Sequence, residues 1–130
     1  MKIKLFWLLV LLILAMLTSG CSGNDKTKES ENVKADREIT IIGHTGTEVD
    51  DFYFEPSEIT VKKGETVKLI MESANNVVHG IQVPALKINL TEREPEIFTP
   101  DKTGEYEGRC SVLCGAGHSV MSFKVIVEEE

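Results

Sequence analysis

The sequence predicts an all-β fold, a Greek-key β-sandwich, and three observations point to it. Short apolar, β-branched runs recur between residues 38 and 128. Gly and Pro turn signals separate them. No segment has both the length and the 3.6-residue period of an amphipathic helix. Taken in order, Ile39-Thr40-Ile41-Ile42 is apolar and β-branched, and Phe52-Tyr53-Phe54 runs up to Pro56. Ile59-Thr60-Val61 stops at Lys63-Gly64, a turn signal. Val67, Leu69 and Met71 alternate with Lys68 and Ile70, a period close to two. The stretches Val77 to Val83 and Ile97 to Thr99 follow, and Gly104 to Gly108 leads into Cys110. Val120 to Val127 closes the domain, with Phe123, Val125 and Val127 on one face. Seven or eight such strands fit two packed sheets with Greek-key connections.

At 130 residues the chain holds one domain. Lys2 and Lys4, the apolar run from Leu5 to Leu17 and the small residues Thr18-Ser19-Gly20 read as a secretory signal over residues 1–20. That run is shorter than the ~20 apolar residues a spanning helix needs. Cys21 follows directly, so the cut site resembles the lipobox of bacterial lipoproteins, with Thr18 departing from the usual aliphatic residue. The resemblance implies lipidation at Cys21 and an extracytoplasmic location, the domain being held to a membrane by its lipid anchor. Residues 22–37 are Ser, Asn, Lys, Glu and Asp with almost nothing apolar, which makes 21–37 a flexible tether and 38–130 the folded domain. Net charge is −7; without Lys2 and Lys4, 12 basic against 21 acidic side chains leave −9. That balance disfavours nucleic acid as a partner and allows steering of a basic protein.

The chemistry sits in Cys110-Ser111-Val112-Leu113-Cys114-Gly115-Ala116-Gly117-His118-Ser119-Val120-Met121. Two thiols, an imidazole and a thioether follow each other at three- and four-residue spacing. A helix would put all four on one face, but Gly115 and Gly117 argue for a tight loop between strands. One further imidazole, His79 in Val77-Val78-His79-Gly80, comes from another loop. With Cys21 set aside, Cys110 and Cys114 are the remaining thiols. A disulfide is the simplest use of two cysteines outside the cytoplasm. It leaves His118 and Met121 without a role. Thiolate, thioether and imidazole together select copper. Zinc would accept two Cys and two His. It gains little from Met121, however, and structural zinc knuckles usually show Cys-x-x-Cys. A mononuclear blue site needs one thiolate, two imidazoles and an axial thioether, which Cys114, His79, His118 and Met121 can supply. Cys110 would then be spare, and a second metal sharing both sulfurs is the simpler use of it.

The same segment resembles the binuclear CuA site of cytochrome c oxidase subunit II and of the electron-accepting domain of nitrous oxide reductase. The family pattern Cys-Ser-x-x-Cys-Gly-x-x-His-x-x-Met is met at every fixed position from Cys110 to Met121. Gly104-Glu105-Tyr106-Glu107-Gly108-Arg109 and His79-Gly80-x-x-Val83-Pro84 are similar as well, and the likeness covers residues 38–128. It implies a cupredoxin fold in which Cys110 and Cys114 bridge two coppers. His79 would serve one copper and His118 the other, with Met121 and the backbone carbonyl of Val112 as weak ligands.

Three departures stand out. Subunit II usually has Glu where Val112 stands, and a valine cannot give its carboxylate. The tryptophan-containing cluster that passes electrons in is missing, since the one tryptophan is Trp7, in the signal. Phe52, Tyr53 and Phe54 fall near that region, where ordinary strand core is the simpler reading of them. A lipid anchor and tether stand in for the transmembrane hairpin of subunit II. The expected function is single-electron transfer between redox proteins such as a cytochrome c and a terminal oxidase, without catalysis by this chain. The alternative is a copper storage or delivery lipoprotein serving an oxidase. A catalytic reductase fragment is disfavoured, because only His44 remains once His79 and His118 are assigned.

Overall fold

The computed structural model describes residues 33–129. The expected signal at 1–20, the lipid-bearing Cys21 and the tether through residue 32 lie outside the described residues. Among the described residues, nine strands form two sheets. β1 (Arg37–His44), β2 (Tyr53–Glu55), β4 (Val67–Ser73) and β7 (Glu96–Phe98) make one, in the order β2-β1-β4-β7. β3 (Glu58–Lys62), β5 (Gly80–Val83), β6 (Ile88–Thr91), β8 (Gly104–Cys110) and β9 (Ser122–Glu128) make the other, in the order β3-β9-β8-β5-β6. β1 pairs with β4 in parallel and β3 with β9 in parallel, so the chain crosses repeatedly from sheet to sheet. This is the sandwich the sequence predicts. Among the described residues the only helical segments are single 3₁₀ turns, at Val49–Asp51, Pro84–Leu86 and His118–Val120.

Alternation builds the core. Ile59 and Val61 of β3, Val67, Leu69 and Met71 of β4, and Phe123, Val125 and Val127 of β9 are buried. Their polar or intermediate neighbours point away from the core. Phe54 of β2 meets Phe123 of β9 edge to face, with ring centroids 6.3 Å apart. Each fully buried apolar side chain of this size contributes about 1.5–3 kcal/mol. At the start of β1 the Asp36 amide donates to the Thr66 carbonyl (2.8 Å), and the Thr66 amide donates back to Asp36 Oδ2 (2.9 Å).

Two differences from the sequence reading bear on the site. Val77–Val83 was expected as one strand, but only Gly80–Val83 pairs. Asn76 adopts a left-handed φ of 57°, and the Ser73 hydroxyl donates to the Val77 carbonyl at 2.8 Å, closing a turn that delivers His79 from a loop. The second is β6, which the periodicity did not mark. Its four residues follow the 3₁₀ turn at Pro84 and a left-handed Lys87, and they pair with β5 along its whole length. β8 ends at Cys110 and β9 begins at Ser122, while β5 flanks β8 and begins one residue after His79. All the sequence-predicted site residues from His79 to Met121 therefore arrive at one end of the same sheet.

Candidate metal centre

The loop between β8 and β9 is pinned at its base by backbone bonds. The Cys110 amide donates to the Met121 carbonyl (3.1 Å), and the Ser111 amide donates to the Gly80 carbonyl (3.0 Å), tying the loop to the segment that carries His79. At its far side the loop lies on the ring of Phe52. A Cβ at Gly115 would stand 2.8 Å from Phe52 Cε1, and one at Gly117 would collide with the same ring. Gly115 also has a φ of 137°, a conformation side chains rarely tolerate. The glycines let the loop fold tightly onto an aromatic floor, as their positions in the sequence suggest. Phe52 and Phe54 are buried, so they belong to the core. Tyr53 is exposed and stacks on His44 at 4.4 Å, while His44 Nε2 pairs with Glu55 at 3.0 Å.

Within this frame the predicted donors converge. Cys110 Sγ lies 3.7 Å from Cys114 Sγ, well beyond a disulfide bond, and both cysteines are free. The Cys110 thiol donates to the Val112 carbonyl at 3.2 Å. Cys114 Sγ is 3.4 Å from Met121 Sδ and 3.8 Å from His118 Nδ1. Ligand atoms of His79, Cys110 and Cys114 all lie within 4.8 Å of one another. His79 is fully buried, and neither ring nitrogen has a hydrogen-bond partner among the described residues. A buried imidazole with both nitrogens unpaired is costly. Two soft thiols, a thioether and a second imidazole, that of His118, join it in a donor set that fits copper.

Sequence reasoning missed three residues that build the site. Gly43 of β1 faces the His79 ring so closely that a Cβ there would overlap Cδ2 and Cγ. A glycine inside a strand often marks such an approach, and that was the available signal. Glu92 accepts the His79 amide (2.9 Å) and had no local signal, while Phe52, read from the sequence as ordinary strand core, supports the loop.

Burial dominates the electrostatics. It holds the His79 pKa below its ordinary 6.5; the Glu92 carboxylate pulls it up in part and His44 pushes it down. Burial, followed by the hydrogen bond and charge of Cys110, lifts the Cys114 thiol from 9.0 to about 11. Between the lowered His79 value and 6.5 the unfolded chain binds the extra proton, so stability falls as pH drops through that window. Between 9.0 and about 11 the native chain keeps a proton the unfolded chain releases, so stability falls as pH rises. The reduced, metal-free protein is therefore expected to be most stable between the two windows. Urea midpoints at about pH 5.5, 7.5 and 10 check this, and Cys114→Ser should flatten the alkaline limb.

The family model for the periplasmic domain of cytochrome c oxidase subunit II matches residues 45–129. The chain belongs to that family. The alternative cytochrome c oxidase subunit 2 of Bradyrhizobium diazoefficiens is 28% identical over 116 residues, covering 85% of this chain and 41% of that protein. This chain spans about two fifths of the length of the curated relatives it matches (41% and 38%). Among solved structures, the periplasmic domain of subunit II of the Bradyrhizobium japonicum oxidase superposes with a TM-score of 0.62 at 22% identity, over 75% of this chain and 87% of that one. A mixed disulfide intermediate between a thioredoxin-like protein and subunit II of cytochrome c oxidase follows, with a TM-score of 0.58 at 22% identity, over 75% and 85%. At these identities the superpositions establish the cupredoxin fold.

Proposed function

We propose that this chain is an extracytoplasmic electron-transfer protein that holds a binuclear CuA centre and exchanges single electrons with redox proteins such as a cytochrome c and a terminal oxidase. One observation carries the reading: His79, buried with both nitrogens unpaired, faces two free thiols whose sulfurs are 3.7 Å apart. Cys110 and Cys114 would share both ions, His79 would serve one and His118 the other, and Met121 Sδ and the Val112 carbonyl would be the weak ligands. Copper bound there supplies one reversible electron, with the change of charge spread over two metals and two thiolates. The chain's own residues keep that centre dry and rigid, since Cys110, Cys114 and Met121 are buried and the loop is clamped between Phe52 and β5.

Exposed apolar side chains flank the donors in sequence, namely Val78, Leu113 and Val120. They suit the approach of a protein partner, and the acidic charge would steer a basic one. Membrane attachment through Cys21, removal of residues 1–20 and a tether leading from residue 21 to the folded domain, whose first strand already takes in Arg37, complete the proposal. Among the described residues, no helix is long and apolar enough to cross a membrane. The thiols must be reduced to take metal, and the subunit II relative captured in a mixed disulfide with a thioredoxin-like protein makes reduction by such a partner a natural step.

The deciding experiment loads the reduced chain with copper, counts the metal and records its electron paramagnetic resonance. Two coppers with a seven-line mixed-valence spectrum are expected. One copper with a four-line signal would sink the binuclear centre, and ready surrender of copper to a moderate chelator would point to delivery instead of electron transfer.

A further inference from the structure

We infer that Glu92 is a positioning residue of the metal centre, fixing the backbone of His79 and setting a negative charge beside its imidazole. The inference rests on the copper reading above. It begins with strand register. β5 and β6 pair as Val83 with Ile88, Gln82 with Asn89, Ile81 with Leu90 and Gly80 with Thr91. The next rung would set His79 against Glu92, but there the ladder ends. Thr91 bridges instead to Glu94, and the chain turns back toward β7. The His79 amide is left without a cross-strand carbonyl. The Glu92 side chain fills the gap: Oε1 accepts the His79 N–H at 2.9 Å, in a partly buried position.

Among the described residues neither ring nitrogen of His79 has a hydrogen-bond partner. The ring is placed by packing alone, against Gly43 and edge-on to Phe54 at 6.1 Å. Metal-bound histidines are usually oriented by a partner on the second ring nitrogen. Here the outer carboxylate acts through the backbone. Among the described residues the Glu92 carboxylate forms none of the six ion pairs. A carboxylate near the imidazole favours the more positive, oxidised state of a metal held there. Glu92 therefore has two separable effects, geometric and electrostatic.

Glu92→Gln separates them, because the amide oxygen can still accept the His79 N–H while the charge is gone. Glu92→Ala removes both. In the copper-loaded protein, Glu92→Gln should keep the wild-type metal count and spectrum but shift the midpoint potential upward. Glu92→Ala should also alter the copper hyperfine pattern and lose metal to a chelator faster, by roughly tenfold or more. In the metal-free protein the His79 amide proton should be downfield and slow to exchange in wild type and Glu92→Gln, and neither in Glu92→Ala. Wild-type chain that takes up no copper sinks the metal reading and this inference with it. If wild type binds copper and all three proteins share one potential and one rate of metal loss, this inference alone fails.

Discussion

Cys114→Ser is expected to leave no coloured copper centre, whereas Cys110→Ser should still bind one copper as a blue, four-line site. The asymmetry follows from where each sulfur sits. Cys114 Sγ touches three other donors, at 3.7 Å from Cys110 Sγ, 3.8 Å from His118 Nδ1 and 3.4 Å from Met121 Sδ. Replacing it with a hydroxyl, a hard and weak donor for copper, removes the one atom those three share. Cys110 is then left with His79 and the Val112 carbonyl, too few donors for a retained ion. The converse change keeps Cys114, His118, Met121 and His79, which is one thiolate, two imidazoles and a thioether. Ser at 110 can still donate to the Val112 carbonyl that Cys110 reaches at 3.2 Å, so the loop should keep its path. Metal counting and absorption spectra of the two variants test this. Copper retained by Cys114→Ser and lost by Cys110→Ser would reverse the assignment of the central sulfur.

Much of this site was legible because its chemistry is local. Cys110 to Met121 carries four donors in one loop, and Gly115 and Gly117 announce its tight path. His79 was legible as an imidazole, but its setting was not. Gly43 reaches it only because β1 lies in the opposite sheet at the height where His79 enters, and Glu92 only because the β5–β6 register stops one rung short. Neither fact is encoded within ten residues of His79. The strands tell the same story. β3, β4 and β9 alternate cleanly and were placed within a residue or two. β6, four residues between a 3₁₀ turn and a tight hairpin, was invisible, and Asn76 cut the expected 77–83 strand short. The aromatic run 52–54 divides by strand alternation. Phe52 and Phe54 go to the core, as the simpler reading had it, and Tyr53 faces outward onto His44.

Gly43→Ala carries the other large expected effect, because it adds one methyl group where the site has no room. Gly43 lies on the core side of β1, and a Cβ there would overlap Cδ2 and Cγ of His79 and stand 3.0 Å from Nε2. The imidazole cannot yield cheaply. It is fully buried, it meets Phe54 edge-on, and its backbone is held by Glu92. A glycine within a strand costs about 0.5–1 kcal/mol relative to alanine. Its presence here is explained by the ring it admits. Overpacking should therefore outweigh the gain in strand propensity, lowering the stability of the metal-free protein by about 1–3 kcal/mol. The ring must also swing from the thiols, so the copper-loaded variant should lose or distort the half of the centre assigned to His79. Thr40→Ala, on the exposed face of the same strand, should stay within about 0.5 kcal/mol of wild type. Combining Gly43→Ala with His79→Ala should restore part of the lost stability, since the clash needs both side chains. Urea midpoints for the four proteins and copper spectra of the single variants give the answer. A Gly43→Ala protein with the wild-type midpoint and spectrum would mean that the ring has slack, and that packing against β1 does not set its position.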